Sequence, residues 1–279
     1  MKSVNKFIGI IKSVSIHFIL LIGALTMLLP FVWMFLTSFK SPPEIIAWPP
    51  TFIPKHPTIE NYITVFTVIP FLRFFLNTLF ISMVGTVVTL VTSSMGGYVF
   101  AKYKFPGKEI FFLLIIGSLI VPFQAYMIPL YLITYRMHLI DTYTGILITQ
   151  LVSSFGIFFM RQNISAIPDE LLDSARIDGC SEFRIYYDII FPLSKSAFCA
   201  LGIFIFLSIW TFFLWPLLIT NSTNKMVVEL GLAVFGSRYG IRYGPMMAGA
   251  AITVIPVLMV FSILRKNIIE GSTLTGLKF

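Results

Sequence analysis

Apolar residues gather in six long runs: Ser13–Leu36, Phe74–Phe100, Ile110–Ile133, Tyr143–Met160, Ala197–Thr220 and Pro245–Leu264. A helix crossing a hydrocarbon core needs about 20 such residues, so the pattern predicts an all-α, polytopic membrane protein with six transmembrane helices. The first run is too long for a signal-peptide core, and no small-x-small cleavage pattern follows it, so it counts as a span. Pro122 and Pro129 fall inside the third run and are expected to kink it.

The polar intervals set the organisation. Residues 1–12 are a basic tail, 13–36 the first span, and 37–70 an interval with six prolines between Pro42 and Pro57. That proline density predicts irregular or extended backbone, which cannot face lipid, so the interval reads as an external loop. Residues 71–268 then form a five-helix core interrupted by a polar loop at 165–195, and 269–279 form a second tail. Six spans put both tails on one side. Thirteen of the twenty Lys and Arg residues fall on that side, and seven (Lys40, Lys55, Arg73, Arg136, Lys225, Arg238, Arg242) on the other. By the positive-inside rule both termini and the 165–195 loop are cytoplasmic.

Composition agrees with this reading. Only 11% of residues are charged and 57% are hydrophobic, against about 25% charged in a soluble domain. The net charge of +8 follows from the topology signal, and no basic run with interleaved aromatics points to nucleic acid. Cys180 and Cys199 predict no disulfide framework, and the three histidines have no metal-ligand spacing.

One polar stretch stands out. Ile167–Ala197 holds six of the twelve acidic residues: Asp169, Glu170, Asp173, Asp178, Glu182 and Asp188. Pro168 suits a first helical position, with Asp169 and Glu170 at the positive end of the dipole. Asp178-Gly179 breaks the pattern, since glycine takes a left-handed backbone at low cost. Ser181 can cap a second helix that stops before Pro192. Leu171, Leu172, Ala175, Phe183, Tyr186 and Tyr187 give this elbow an apolar side, which calls for a covering partner. Asp173 and Arg176 read as an intrahelical pair only.

The run from Pro168 through Asp173-Ser174-Ala175, Asp178-Gly179 and Phe183 to Pro192-Leu193 resembles the EAA loop of ABC-importer permeases. That loop reads roughly E-A-A, three residues, G, nine residues, then I-x-L-P. Asp173 stands in place of the usual Glu, and Ser174 and Cys180 where Ala is common. The likeness extends from about Phe31 to Lys278, and the ending GSTLTGLKF resembles the G-x-T-x-x-G-x-K tail of the carbohydrate-uptake branch, whose best-known members are the maltose permeases. The resemblance implies a type I ABC-importer permease fold with a cytoplasmic coupling-helix loop. It implies ATPase-coupling roles for Glu170, Asp173, Ser174, Ala175, Asp178, Gly179, Phe183 and Pro192. It also implies partners: a second, unlike permease, two ATPase subunits that bind ATP and Mg, an extracytoplasmic solute-binding protein and a small carbohydrate. The cell would be prokaryotic, the membrane its plasma (inner) membrane. Where relatives often carry an Asp-Trp pair before the last span, this chain has Ile241-Arg242-Tyr243. Residues 238–242 are therefore a divergent candidate contact for the binding protein.

No G-x-x-x-x-G-K-[ST] loop is present, so the chain binds no nucleotide by that means and carries no cofactor of its own. No nucleophile–base pair or metal cluster suggests an enzyme. A secondary transporter or channel would need acids deep in the spans, and there are none. Polar residues within the spans are candidates for the solute path: Asn77, Gln124 and Gln150, with Asn221 at an outer end. Each can instead serve as interhelical glue. Trp210, with Tyr126 and Trp215, can add aromatic stacking, while Trp33 and Trp48 suit an interface belt. Gly96-Gly97 and Gly249-Ala250-Ala251 permit close helix approach.

Overall fold

The computed structural model describes residues 2–238 and 242–274, and among these every regular element is helical. The helices are α1 (Lys2–Thr37), α2 (Pro42–Ile45), α3 (Glu60–Val68), α4 (Phe71–Lys102), α5 (Lys108–Ser118), α6 (Phe123–Arg136), α7 (Tyr143–Leu147) and α8 (Ser154–Ser165). They continue as α9 (Asp169–Ile177), α10 (Glu182–Ile185), α11 (Phe191–Leu193), α12 (Lys195–Trp210), α13 (Leu214–Ile219), α14 (Val228–Arg238) and α15 (Tyr243–Leu274).

Among the described residues four stretches are long and apolar enough to cross a membrane: Lys12–Thr37, Phe71–Lys102, Lys195–Ile219 and Tyr243–Asn267. The number rises to six if each of two bent helix pairs is one span. The third apolar run is the sharper case. It is not a kinked helix but two helices, α5 and α6, meeting at 101°. At the end of α5 the N–H groups of Leu119 and Ile120 bond three residues back, to Ile116 and Gly117. Pro122 then takes extended backbone (φ −67°, ψ 143°) and starts α6, because its ring disfavours helix at the residue before it. Pro129 stays inside α6. The fourth run also breaks, bending by 42° between Tyr143–Gln150 and α8.

The chain forms two compact units. One comprises Met1–Phe71 with Leu232–Val254, the other Leu72–Gly231 with Ile255–Phe279. In the first, α1 leads into the proline-rich interval, which is stapled rather than loose. The Asn61 amide donates to the carbonyls of Ser38 (2.9 Å) and Lys40 (2.8 Å). Buried Lys40 lies over the Trp33 ring, 4.3 Å from its centroid, and donates to the Thr51 carbonyl. The interval is not wholly irregular: Pro42 and Pro43 open the short α2, and beyond Pro57 Thr58 Oγ1 accepts from Glu60 N (3.1 Å) and α3 begins.

In the second unit α4 is the hub. Near one end, the Asn77 amide donates to the carbonyls of Asn224 and Met226, both at 2.9 Å, and Thr78 Oγ1 accepts from Val228 N at 2.7 Å. At its middle, Thr89 and Thr92 donate hydroxyls to the carbonyls of Gln150 and Leu151, the groups freed where the fourth run breaks. Such pairing matters because an unsatisfied backbone group in hydrocarbon costs several kcal/mol. Further along, Gly97 lies so close to α8 that a Cβ would stand 2.6 Å from Met160 Cβ and 2.8 Å from Arg161 N. A stripe of small residues thus lets two helix backbones meet.

Candidate functional site: the polar elbow and the broken-helix cavity

The elbow is two helices around a left-handed joint. Pro168 is the N-cap of α9, one position ahead of the first helical place, and Asp169 and Glu170 fill the first turn. At the other end Gly179 has φ +78°, Cys180 N donates to Ala175 O (2.9 Å) and Gly179 N to Arg176 O (3.0 Å). These are the two reversed bonds of a Schellman motif, with Asp178 as C-cap. Ser181 then caps α10, accepting from Arg184 N at 3.4 Å. The second helix does not stop before Pro192. It passes through a π-helical turn, Tyr186–Ile190, into α11, which contains Pro192. The wider turn accommodates a residue that has no N–H and whose ring would clash with the carbonyl four back.

Arg176 does more than pair within its helix. It holds Asp173 at 2.9 Å and also reaches across the joint, Nε to Glu182 Oε1 at 2.9 Å. Glu182 Oε2 accepts from the hydroxyls of Tyr98 (2.9 Å) and Tyr103, at the Lys102 end of α4. The Arg176 bonds, then that from Tyr103, hold the Glu182 carboxyl down to about 2 in spite of burial. Burial, and then the bond to Glu182, push the Tyr103 hydroxyl up. At the start of α9, Lys102 donates to Asp169 (2.6 Å) and to the Ile167 carbonyl. Its hydrogen bond and charge hold the Asp169 carboxyl below the usual range. Ser94 and Tyr186 join hydroxyls nearby.

These bonds turn the elbow's faces apart. Leu172, Ala175 and Ile185 are buried. Ile177 is 86% exposed and Phe183 76%, with Leu171 and Tyr187 also exposed. Glu170, Asp173, Ser174, Asp178, Gly179 and Pro192 are exposed too, Ser174 bonding back to the Glu170 carbonyl at 2.8 Å. The result is a rigid, jointed surface of apolar side chains among acids. Arg176, Lys102 and the two tyrosines were missed as parts of one network, because their partners lie far away in sequence. The aromatic-basic cluster Tyr98 to Lys104 was the one available signal.

The polar span residues separate. Asn77 is buried and fully engaged, its Oδ1 also accepting from Tyr143 (2.8 Å). Trp210, 2% exposed, packs against Phe75 and Phe206. Trp215 is buried and donates its indole N–H to the Gly145 carbonyl (2.9 Å). Gln124 is exposed in the first turn of α6, and Tyr126 stands beside Phe123. Asn221 is exposed, its N–H donating to Asp141. Burial would raise the Asp141 carboxyl, yet bonds from Ser222 and Asn221 bring it down to about 2. Gln150 lines a cavity of about 330 Å³ at the break between α7 and α8. Ser153, Ser208, Phe155 and Phe204 share its wall. The hydroxyl residues were missed, as a serine in an apolar run gives no period of its own. Of residues 238–242, 239–241 lie outside the described residues, while Arg242 is exposed beside a hollow that Pro42, Ile46 and Glu60 also line. The end of the GSTLTGLKF tail also lies outside the described residues.

A helical chain with apolar, membrane-length helices, a jointed acidic elbow and a cavity of mixed polar and apolar lining at a broken helix has the parts a transport component needs. Residues 93–271 match the family described as binding-protein-dependent transport system inner membrane component. The chain is 35% identical over 252 residues to the arabinooligosaccharides transport system permease protein AraQ of Halalkalibacterium halodurans, covering 89% of this chain and 90% of that one. It is 31% identical to the lactose transport system permease protein LacG of Rhizobium radiobacter, over 91% and 92% of the two chains. The fold is similar to a bacterial ABC transporter involved in import of the acidic polysaccharide alginate (TM-score 0.79, 23% identity, 92% and 96% covered). The chain belongs to this family of binding-protein-dependent ABC-importer permeases. It is a membrane-embedded translocation subunit, not an enzyme.

Proposed function

We propose that this permease moves a carbohydrate (a sugar, oligosaccharide, polyol or glycerol-phosphate type of solute) inward across the plasma membrane of a prokaryote. Its termini and elbow face the cytoplasm, as the distribution of Lys and Arg supports. It pairs with a second, unlike permease and with two ATPase subunits, identical or not, which hold ATP and Mg²⁺. An extracytoplasmic binding protein delivers the solute. Names of relatives such as those for arabinooligosaccharides and lactose support the solute class.

The observation that carries this reading is the elbow: a Schellman joint whose buried face is bonded to α4 while Phe183 and Ile177 stand out among acids. A surface so fixed and so apolar is costly in water unless a partner covers it. Seated in a cleft of the ATPase, residues 168–191 would move when ATP closes the ATPase pair. The helices would then follow as a body, turning an inward-facing cavity outward. ATP and the loaded binding protein drive this only through their different affinities for the two states. Gln150, with Ser153 and Ser208, offers hydroxyl-matching groups on a wall shared with the edge-to-face Phe155 and Phe204 rings, and is the solute contact we propose on this subunit. Asn77 and Trp210 serve the scaffold. Gln124 and Asn221 remain on the proposed path by their exposure.

Extraction of the complex from its native membrane in mild detergent, with mass identification of what accompanies it, tests the reading. An ATPase, a second permease and a binding protein are expected. Recovery of this chain alone, even after cross-linking, would contradict it.

A further inference from the structure

We infer that α4 is the strut that carries the elbow's motion into the membrane, with Lys102, Tyr98, Tyr103 and Glu182 as positioning residues for coupling. This rests on the proposed docking of an ATPase at the elbow.

Two separate attachments carry the inference. Lys102, only 4% exposed, fixes the start of α9 through Asp169 and the Ile167 carbonyl. Tyr98 and Tyr103 fix the start of α10 through Glu182, which Arg176 ties back to α9. A single attachment would let the elbow swivel about α4; two, at its opposite limbs, remove that freedom. The same helix then grips the break in the fourth span through Thr89 and Thr92, where the cavity lies. A push on Phe183 therefore reaches the Gln150 carbonyl through α4 without passing along α5 or α6. Charge-assisted bonds suit this task, being about twice as strong as neutral ones.

The test uses the whole complex in proteoliposomes. In Lys102→Met, and separately in the double substitution Tyr98→Phe with Tyr103→Phe, three quantities are read: ATPase retained, ATP hydrolysed, and solute accumulated per ATP. The strut predicts near-normal ATPase retention and a fall of about fivefold or more in solute per ATP, with Lys102→Arg restoring it. A purely structural role would lower retention and hydrolysis together and leave the ratio unchanged, which would overturn the inference. If a variant fails to assemble, Tyr103→Cys with Glu182→Cys, in a chain where Cys180 and Cys199 are serine, gives a second route. A short bis-maleimide link between the two positions should raise the ratio of the assembled complex, and an unchanged ratio would contradict the strut. Failure of the unaltered chain to hold an ATPase would instead defeat the coupling proposal itself.

Discussion

Arg176 and Glu182 face each other across the Gly179 joint, Nε to Oε1 at 2.9 Å, so that the two limbs of the elbow are closed on one another by charge as well as by backbone. An open hinge would absorb an applied motion. A closed one passes it on.

Gly179 is the residue on which that closure depends. It has φ +78°, and a Cβ there would meet nothing within 4 Å, so any penalty is in the backbone rather than in packing. Gly179→Val should cost about 1–2 kcal/mol locally, reopen the joint and uncouple ATP hydrolysis from uptake while membrane insertion continues. Gly179→Asn should keep most activity, because asparagine tolerates the left-handed region. Uptake assays on membranes with matched expression check both, and normal uptake by Gly179→Val would sink the argument.

Acid should loosen the elbow over a defined range. Glu182 is ordinarily near 4.5 and is held to about 2 in the folded chain. Its contribution is therefore full above pH 4.5 and is lost as pH falls toward 2. The side chain is 43% exposed, so solvent screening keeps the effect modest. In Glu182→Gln, thermal stability in detergent should vary less with pH between 5 and 2.5 than in the unaltered protein. Equal slopes would remove Glu182 from the account.

Gly97 makes a packing prediction of the opposite kind. A methyl group there meets Met160 Cβ and the Arg161 backbone, which cannot swing aside. Gly97→Ala should lower stability by about 1–3 kcal/mol, as overpacking does, and thermal unfolding of the purified chain reads it directly.

Gln150 and Asn77 should part company. Asn77 makes three hydrogen bonds within the scaffold. Asn77→Ala strands the Met226 carbonyl and the Tyr143 hydroxyl, while the Asn224 carbonyl keeps its bond from Arg73 Nε (3.1 Å), and should cost about 1–3 kcal/mol, seen as lower yield and melting temperature. Gln150→Ala should leave stability within about 0.5 kcal/mol. Its effect should be a raised solute concentration for half-maximal uptake. A change confined to stability would move Gln150 to the scaffold too.

What could be read from the chain alone follows the range of the forces involved. The joint at Asp178-Gly179 and the cap at Ser181 are local devices, and both stand where the residues place them. The break at Pro122 was visible, but its size was not: a proline ring says that the helix is disturbed and leaves the 101° angle of the turn open. Pro192 shows the reverse, a proline carried inside a helix by a wide turn that begins at Tyr186. Arg176, Lys102 and Tyr98 gain their meaning from residues six to eighty-four positions away, and no pattern of spacing reaches that far.

Whether the exposed edge of the elbow seats an ATPase can be read with a photo-reactive amino acid at Phe183. Irradiation of native membranes should join this chain to the ATPase, with a yield that changes when ATP is added, while the same probe in place of buried Leu172 should give no such product. Equal labelling at both positions, or no ATPase product from Phe183 with or without ATP, would contradict the account.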